Sequence, residues 1–294
     1  MNTHRFLRKK NYIIAALWIM LVNVISVSND VISCSIGQSL HPFQVAFMRF
    51  FVSMITVIPF MLHRKTFYFK AKMHKLHFLR TFFGTLAIAL GTISVLKFRI
   101  VCNTSIMFSE PILFLPLAAI FLKERIDATR WICTVVGFIG IIVILYKDIF
   151  TLNAWLFIPL SSAFLFAVIC IIAKKMVYDE HILTLLFYFG MGTTLFSLIP
   201  ALVVWQPMTI SQIVYLTLLG CNANLIQVCM FKAYAISEAA PLMPLRYLEF
   251  VLSFLAGLLF FHQTAEINTF IGCFIIIASS IVITIAEKRK ERVL

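Results

Sequence analysis

The sequence contains few charged residues: only 13% of its 294 residues are Asp, Glu, Lys or Arg, and just 12 are acidic. A water-soluble domain carries about 25% charged residues, so this chain has too little polar surface to cover a globule in water. Hydrophobic residues make up 62% of the chain, and the mean hydropathy is +0.99. This composition excludes disordered, collagen-like, nucleic-acid-binding and ordinary soluble-enzyme classes, and it indicates an integral membrane protein.

The sequence also lacks the short motifs of several kinds of chemistry. It has no P-loop, GxGxxG, GxSxG or HExxH pattern, so ATP-driven pumping by this chain and the familiar membrane-hydrolase mechanisms lack support. The seven cysteines form no CxxC pair, and neither a disulfide framework nor a zinc site is indicated. His74 and His77 form an HxxH pattern, but they fall in a predicted basic loop, where a metal role is weak. We therefore expect no cofactor and no enzymatic activity.

Long apolar runs fill most of the chain. A transmembrane helix needs about 20 predominantly apolar residues, and ten segments qualify. The links between them are short and hold most of the charge, which leaves no room for a soluble domain. The first segment has no small-residue cleavage site after it, so we interpret it as a retained helix. The ten predicted helices cover residues 12–32, 42–62, 79–96, 100–122, 130–146, 154–173, 182–204, 210–231, 239–261 and 267–286.

The distribution of basic residues predicts the orientation. If the N-terminus is cytoplasmic, 18 of the 25 Lys and Arg residues fall on cytoplasmic segments, and only Lys97, Arg99 and Lys147 fall outside. The positive-inside rule therefore predicts that both termini are cytoplasmic. The net charge of +13 then reflects these loops and not a nucleic-acid partner. We expect the basic segment 64–75 to contact anionic lipid, and Arg80 at the start of helix 3 to snorkel to the cytoplasmic surface.

The two halves of the chain show weak internal similarity. At an offset of 139 residues Glu110 falls on Glu249, and at 140 residues His41 falls on His181. Each half contains an odd number of predicted helices, so the second half must enter the membrane from the opposite side. This predicts an all-α fold with a five-plus-five inverted-topology repeat, the plan of many secondary transporters. The expected repeats are residues 11–147 and residues 154–286.

Four ionisable residues fall near the middle of predicted membrane helices. Glu110 and Glu249 lie about 10 residues from the helix ends, which is roughly 15 Å at 1.5 Å per residue, and Arg49 and Arg246 reach similar depths. Such residues cost about 2.5–3.5 kcal/mol on insertion scales and indicate function by default. Arg246 and Glu249 are spaced i, i+3 and are expected to share a helix face. They either form a structural ion pair or line a polar cavity for a charged solute.

Other polar residues follow helical spacing. Asn23, Ser26, Asp30 and Ser33 place a polar stripe on one face of helix 1, of the kind that faces a cavity more often than lipid. Helix 8 is polar through three amide side chains, among which Asn224 is a candidate. Prolines next to Glu110 and Arg246 free backbone carbonyls, which is tolerated where neighbours or a water-filled cavity satisfy them. Aromatic residues available to stack on a ring include Tyr188, Tyr247 and Trp18.

The stretch FLKERIDATRWICTVVGFIGIIVIL after helix 4, within this ten-helix plan, resembles the EamA-type carriers of the drug/metabolite transporter superfamily. In the second half the family's acidic position is occupied by Gln263. The segments SNDVIS (28–33, with Asn29 beside Asp30), QVAFMRFF (44–51), WICTVVGFIG (131–140) and RYLEFVLS (246–253) are similar to the S-adenosylmethionine uptake carriers of obligate intracellular bacteria. Those sequences often continue NDVISK, whereas this chain has Cys34.

The resemblance implies a multi-pass carrier of the bacterial inner membrane that transports S-adenosylmethionine by alternating access. It also suggests that the carrier exchanges S-adenosylmethionine for S-adenosylhomocysteine. That substrate carries a sulfonium, an ammonium, a carboxylate and an adenine. Glu110 and Glu249 supply acids, and Arg49 or Arg246 supplies a base. The same inventory suits an exporter of amino acids or related zwitterionic metabolites. A membrane-embedded enzyme would need a nucleophile–base constellation or a metal cluster, and the sequence shows neither.

Overall fold

The computed structural model describes residues 11–36, 40–63, 71–97, 106–145, 157–261 and 267–293. Within these ranges the chain is helical and contains no strand. The helices are α1 (Tyr12–Ile36), α2 (Pro42–His63), α3 (His74–Lys97), α4 (Glu110–Leu117, extended by a π-helical turn Ala118–Leu122), α5 (Ala128–Leu145), α6 (Phe157–Met176), α7 (Ile182–Val203), α8 (Ile210–Ile236), α9 (Ala240–Leu242, Met243–Arg246 and Leu248–Phe261) and α10 (Ile267–Val293).

Eight of these helices are long and apolar enough to cross a membrane. The apolar parts of α4 and α5, Glu110–Leu122 and Ala128–Ile144, are shorter. The predicted starts of helices 4 and 6 lie outside the described residues, as do the basic N-terminus, most of the basic segment 64–75, and the loops with Arg99 and Lys147. The described chain is therefore a multi-helix membrane protein with eight helices of spanning length.

The helices pack in a regular pattern. α5 packs along α10, and α2 packs along α7. α1 packs on α8 and α9, while α3 packs on α6 and α4 packs on α6 as well. The same set of contacts results when every helix number is increased by five, with α1 following α10. The contact of α1 with α8, for example, then becomes the contact of α6 with α3, which is also present. Helices from the two halves are thus interleaved, and most of the apolar core lies between halves.

Close helix approaches depend on glycine at two crossings. A Cβ atom on Gly272 of α10 would lie 2.4 Å from the carbonyl oxygen of Gly140 on α5, so any side chain there would force the helices apart. A Cβ on Gly84 of α3 would lie 2.5 Å from the Phe189 ring of α7. The absence of side chains at these positions lets backbone and aromatic rings approach more closely than a methyl group permits.

Backbone caps join the loops at the end of the bundle where α1 begins and α10 ends, which we call the termini end. Glu124 accepts hydrogen bonds from the backbone N–H groups of Ala239 and Ala240, both at 2.9 Å, at the start of α9. Glu180 accepts from the N–H groups of Lys72 and Met73 at 2.6 and 2.7 Å, just before α3. A carboxylate stabilises a helix start because the first N–H groups of a helix have no intrahelical acceptor.

The starts of α2 and α7 are capped in the same way, by two histidines. His41 Nδ1 accepts from the N–H of Phe43 at 3.3 Å, and His181 Nδ1 accepts from the N–H of Leu183 at 3.2 Å. These are the two histidines that coincide at the 140-residue offset.

Prolines interrupt α4 and α9 as the sequence indicates. In α4, Pro116 is followed by the π-helical turn, which ends at Lys123 with a left-handed φ of 56°. In α9, Pro241 lies in a 3-10 turn, Pro244 opens the next segment, and a turn at Tyr247 separates that segment from the last one. Neither helix is regular at the depth of its ionisable residues.

Two expectations about helix 3 are wrong. The helix begins at His74, five residues earlier than predicted, so His74 and His77 lie in a helix and not in a basic loop. Arg80 consequently lies six residues into the helix, about 9 Å at 1.5 Å per residue, and its side chain is buried. The sequence interpretation missed these residues because the polar first turn of α3 resembles a loop when hydropathy alone is read.

Candidate functional site

The polar stripe of α1 faces α9. Each of its first three residues is hydrogen-bonded to that helix, with the two helices in register over three successive turns. The bonds are Asn23 Nδ2 to the Leu245 carbonyl oxygen at 2.8 Å, Ser26 Oγ to Glu249 Oε1 at 2.5 Å, and Ser253 Oγ to Asp30 Oδ2 at 3.0 Å. Asn23 is fully buried, whereas Asp30 is exposed, so the stripe runs from the interior of the bundle towards its surface.

Glu110 and Arg246 form an ion pair across the two interrupted helices. Arg246 Nη1 lies 2.5 Å from Glu110 Oε1, and both side chains are largely buried. Cys170 of α6 donates its S–H to the same Glu110 oxygen at 3.4 Å. This pair therefore connects α4, α6 and α9 at the centre of the bundle.

The expected common face of Arg246 and Glu249 is not present. The turn at Tyr247 separates the two helical segments, so Arg246 points to Glu110 while Glu249 points to Ser26 on α1. Arg246 still interacts electrostatically with both glutamates. Within the described residues, Glu249 has no basic group within 4 Å.

Asp30 of α1 and Arg49 of α2, helices consecutive in the chain, interact electrostatically. They form no ion pair with each other within 4 Å. Among the described residues, the Nε–H of Arg49 is buried without an acceptor, and Oδ1 of Asn29 is buried without a donor. Three of the residues predicted from sequence thus lie in one region with unused hydrogen-bonding capacity.

Asn224 has its polar atoms occupied by α2. Its Nδ2 donates to the Ser53 carbonyl oxygen and to Thr56 Oγ1, both at 2.8 Å, and its Oδ1 accepts from Ser53 Oγ at 2.6 Å. In this conformation the residue fastens α8 to α2. Its predicted contact with a ligand stays a prediction.

The candidate aromatic residues occupy three separate places. Trp18 lies under the ammonium of Lys232, 4.3 Å from its ring centroid, and Tyr188 packs against His77 with ring centroids 4.7 Å apart. Tyr247 is fully buried, and a Cβ on Gly137 would lie 2.5 Å from its ring. The structure does not bring these rings together into one slot.

Arg80 is the functional candidate that sequence reasoning missed. Its side chain is 3% exposed and does not snorkel. Nη1 donates to the Leu185 carbonyl oxygen at 2.9 Å, and Nη2 donates to Gln227 Oε1 at 2.6 Å. The guanidinium lies 4.3 Å from the Phe189 ring centroid and 5.1 Å from that of Phe231. The signal in the sequence is weak: Phe78 and Leu79 precede the arginine, and Phe82 and Phe83 follow it after Thr81.

Charged groups of both signs, buried between interrupted membrane helices, define a membrane protein that handles a polar solute. The EamA-like transporter family model matches residues 13–146. This match, together with relatives at 34–35% identity over 95% of the chain, shows that the chain belongs to this family, and the family and relative names are those of transporters and not of enzymes.

Relatives from bacteria match along nearly the whole chain. The S-adenosylmethionine uptake transporter of Rickettsia bellii is 34% identical over 95% of this chain and 96% of its own, and that of Rickettsia conorii is 35% identical over 95% of each chain. A riboflavin transporter of Vibrio cholerae is 28% identical over 94% of this chain and 95% of its own. The chain is therefore a membrane transporter with a small-molecule substrate.

The fold is also found in a solved crystal structure. That protein is 16% identical, and the superposition covers 94% of this chain and 98% of that chain with a TM-score of 0.81. At this identity the similarity shows the fold alone.

Proposed function

We propose that this protein carries S-adenosylmethionine across the bacterial inner membrane. The observation that carries the proposal is 34–35% identity, over 95% of the chain, to the S-adenosylmethionine uptake transporters of Rickettsia. Relatives named as riboflavin transporters are more distant, at 28% identity or less. Riboflavin has no charged group, so a riboflavin site would not require buried acids and arginines.

The buried acids suit the cationic groups of this substrate. S-adenosylmethionine brings a sulfonium and an ammonium, and Glu249 and Asp30 are carboxylates without a basic group within 4 Å among the described residues. Both lie on the α1–α9 face that leads from the interior to an exposed position. Glu110, in contrast, is already paired with Arg246.

We propose ten membrane spans in two inverted repeats, residues 11–147 and 154–286, with both termini cytoplasmic and transport by alternating access. The helix contacts that interchange under a five-place shift support the repeat. The equivalent caps of His41 and His181 support it as well. Each central glutamate also bonds a small polar side chain on the corresponding partner helix, Glu110 with Cys170 and Glu249 with Ser26.

Uptake of radiolabelled S-adenosylmethionine into cells that express the chain tests this function. We expect saturable uptake that unlabelled S-adenosylhomocysteine inhibits, and faster uptake into cells preloaded with S-adenosylhomocysteine if the carrier exchanges the two. The competitor panel includes riboflavin, methionine and other amino acids. Uptake of riboflavin, or export of an amino acid without S-adenosylmethionine uptake, would contradict the proposal.

A pair of conservative variants tests which glutamate recognises the sulfonium. S-adenosylhomocysteine shares the amino-acid and adenosine ends but lacks the sulfonium charge. Glu249→Gln keeps the shape and removes the carboxylate charge, so we expect weaker S-adenosylmethionine binding with little change for S-adenosylhomocysteine. A change in the ratio of about 5- to 150-fold corresponds to coupling of about 1–3 kcal/mol. Glu110→Gln is the matched control, because the carboxylate of Glu110 is already paired with Arg246. If both variants keep the wild-type ratio of S-adenosylmethionine to S-adenosylhomocysteine binding, neither glutamate recognises the sulfonium.

A further inference from the structure

Arg80 is a buried cation without a matching anion. A guanidinium has five N–H donors, and two of them are bonded to neutral oxygens, on Leu185 and Gln227. Its Nε is buried with no acceptor in the part of the chain that the structure describes. No carboxylate among the described residues lies within 4 Å of it. Because an unpaired charge is costly to bury, this position is suited to a negatively charged group that the described residues do not supply.

The other interior arginines have acidic neighbours. Arg246 contacts Glu110 and also interacts electrostatically with Glu249, and Arg49 interacts with Asp30. The titratable groups found near Arg80 are Cys170 and His77, and neither of them is a carboxylate. The three carboxylates near these arginines, Glu110, Glu249 and Asp30, all lie on the α1, α4 and α9 side. This leaves local positive charge at Arg80.

The surroundings of Arg80 suit recognition of a compact anion. The Phe189 and Phe231 rings flank the guanidinium and exclude water, which strengthens any ion pair formed there. Gly84, one turn along α3, lets the Phe189 ring reach this position. Cys170 interacts with Arg80 and is hydrogen-bonded to Glu110, so α6 connects this position to the central glutamate.

We propose that Arg80 is the subsite for the substrate's carboxylate. The inference rests on the proposed function, because S-adenosylmethionine carries one carboxylate together with the cationic groups assigned to the acidic side. Arg80 donates free N–H groups to that carboxylate, as arginine does in bidentate pairs, while Leu185 and Gln227 hold the guanidinium in place. A purely structural Arg80 would instead fasten α3 to α7 and α8 and would be indifferent to the ligand.

Decarboxylated S-adenosylmethionine provides the test, because it keeps the sulfonium, amine and adenosine but lacks the carboxylate. Inhibition constants of both compounds against labelled S-adenosylmethionine uptake are measured for the wild type, Arg80→Gln and Arg80→Lys. We expect the wild type to prefer the carboxylate form by about ten- to a hundredfold, the range for one charge-assisted interaction. In Arg80→Gln this preference falls to less than about threefold, because only the carboxylate form loses an interaction.

Arg80→Lys keeps a positive charge but loses the planar fork, so we expect an intermediate preference. Lys290→Gln is the matched control, since it removes a half-exposed cation at the termini end, and its preference should equal that of the wild type. The amount of each variant in the membrane is measured alongside.

Each outcome decides between the alternatives. If the wild type does not take up S-adenosylmethionine, the proposed function fails. If it does, and Arg80→Gln keeps the wild-type preference, the carboxylate subsite alone is wrong. If both Arg80 variants are absent from the membrane while Lys290→Gln is present, Arg80 has a structural role and the subsite assignment is overturned.

Discussion

Two buried arginines of the same chain occupy opposite environments. At the termini end, Arg130 of α5 donates from Nε and Nη2 to both oxygens of Glu287 at 3.0 and 2.9 Å, and from Nη1 to Glu238 at 2.7 Å. Asp127 lies 3.4 Å away and is bonded in turn to Lys290. Arg80 is buried to a similar extent, 3% exposed against 6%, but has only neutral partners among the described residues.

The different partners of Arg130 and Arg80 indicate different roles, stability for Arg130 and binding for Arg80. The Arg130 cluster joins α5 to α10 and to the α8–α9 link, and its charges are matched internally. A ligand has little to gain there, since four of the five N–H groups of Arg130 are already hydrogen-bonded. Arg80 and Glu249 lack ionic partners at hydrogen-bonding distance among the described residues, and unmatched buried charges are characteristic of functional sites. Burial of an ionisable residue therefore indicates function here only when its partners are also considered.

The largest expected effect is the loss of Arg130. Arg130→Gln leaves Glu287 buried without its guanidinium, and removal of one partner from a buried ion pair costs about 3–5 kcal/mol. We expect less protein in the membrane and a lower unfolding temperature in detergent. The substrate preference of the protein that does fold should be unchanged. A variant with wild-type stability would show that the cluster is not the structural element described above.

The Glu110–Arg246 pair is intermediate between the Arg130 cluster and Arg80. Like Arg130, its two charges are paired with each other, but like Arg80 it is in the interior of the bundle. Either single neutral variant, Glu110→Gln or Arg246→Gln, should destabilise by about 3 kcal/mol because a buried charge loses its partner. The double variant Glu110→Leu with Arg246→Met should recover most of that stability. Thermal unfolding measures the stability, and uptake by the folded double variant separates a structural pair from a transport element. Full uptake would exclude the pair from transport.

Gly84→Ala should weaken ligand binding at Arg80, because it displaces the Phe189 ring that packs against the guanidinium. The added methyl would lie 2.5 Å from the Phe189 ring and must displace it, at an overpacking cost of about 1–3 kcal/mol. Gly91→Ala on the same helix is the matched control, since its nearest neighbour is Ser162 Oγ at 3.3 Å. Uptake constants and unfolding temperatures of the two variants are compared. If the two variants change the uptake constants and unfolding temperatures equally, the position of the Phe189 ring does not contribute to binding at Arg80.

The smallest expected effect concerns acid stability. Burial alone would raise the pKa of Asp127, but Lys290 and Arg130 hold it below its ordinary value of 3.8. A depressed carboxyl pKa stabilises the fold above the unfolded-state value, and this stabilisation is lost as the pH falls through the folded-state value. Asp127 is 40% exposed, so its contribution is about 0.2–1 kcal/mol. Asp127→Asn should therefore flatten the loss of thermal stability below pH 4 only slightly.

Sequence reasoning located Glu110, Glu249, Arg49, Arg246 and Asp30 because an ionisable residue in an apolar run is conspicuous by itself. It also identified the stripe on α1, since helical periodicity determines which residues share a face. It placed Arg246 and Glu249 on one helix face, whereas the turn at Tyr247 divides the helix, and helical spacing alone does not predict that turn. The position of Arg80 was predicted wrongly for a different reason. Hydropathy detects only the apolar part of a helix, so it missed the polar first turn of α3, which begins at His74.

The sequence by itself determined the class of this protein. Low charge and long apolar segments require a membrane environment, and helical segments follow because backbone groups in lipid must be satisfied internally. Only the tertiary structure decided which buried charges neutralise each other, since partners such as Glu110 and Arg246 lie 136 residues apart in the chain. Pairing depends on distances of a few ångströms between helices, and composition and spacing do not encode these distances. The unmatched Arg80 became visible only when the neighbours of each interior charge had been identified in the tertiary structure.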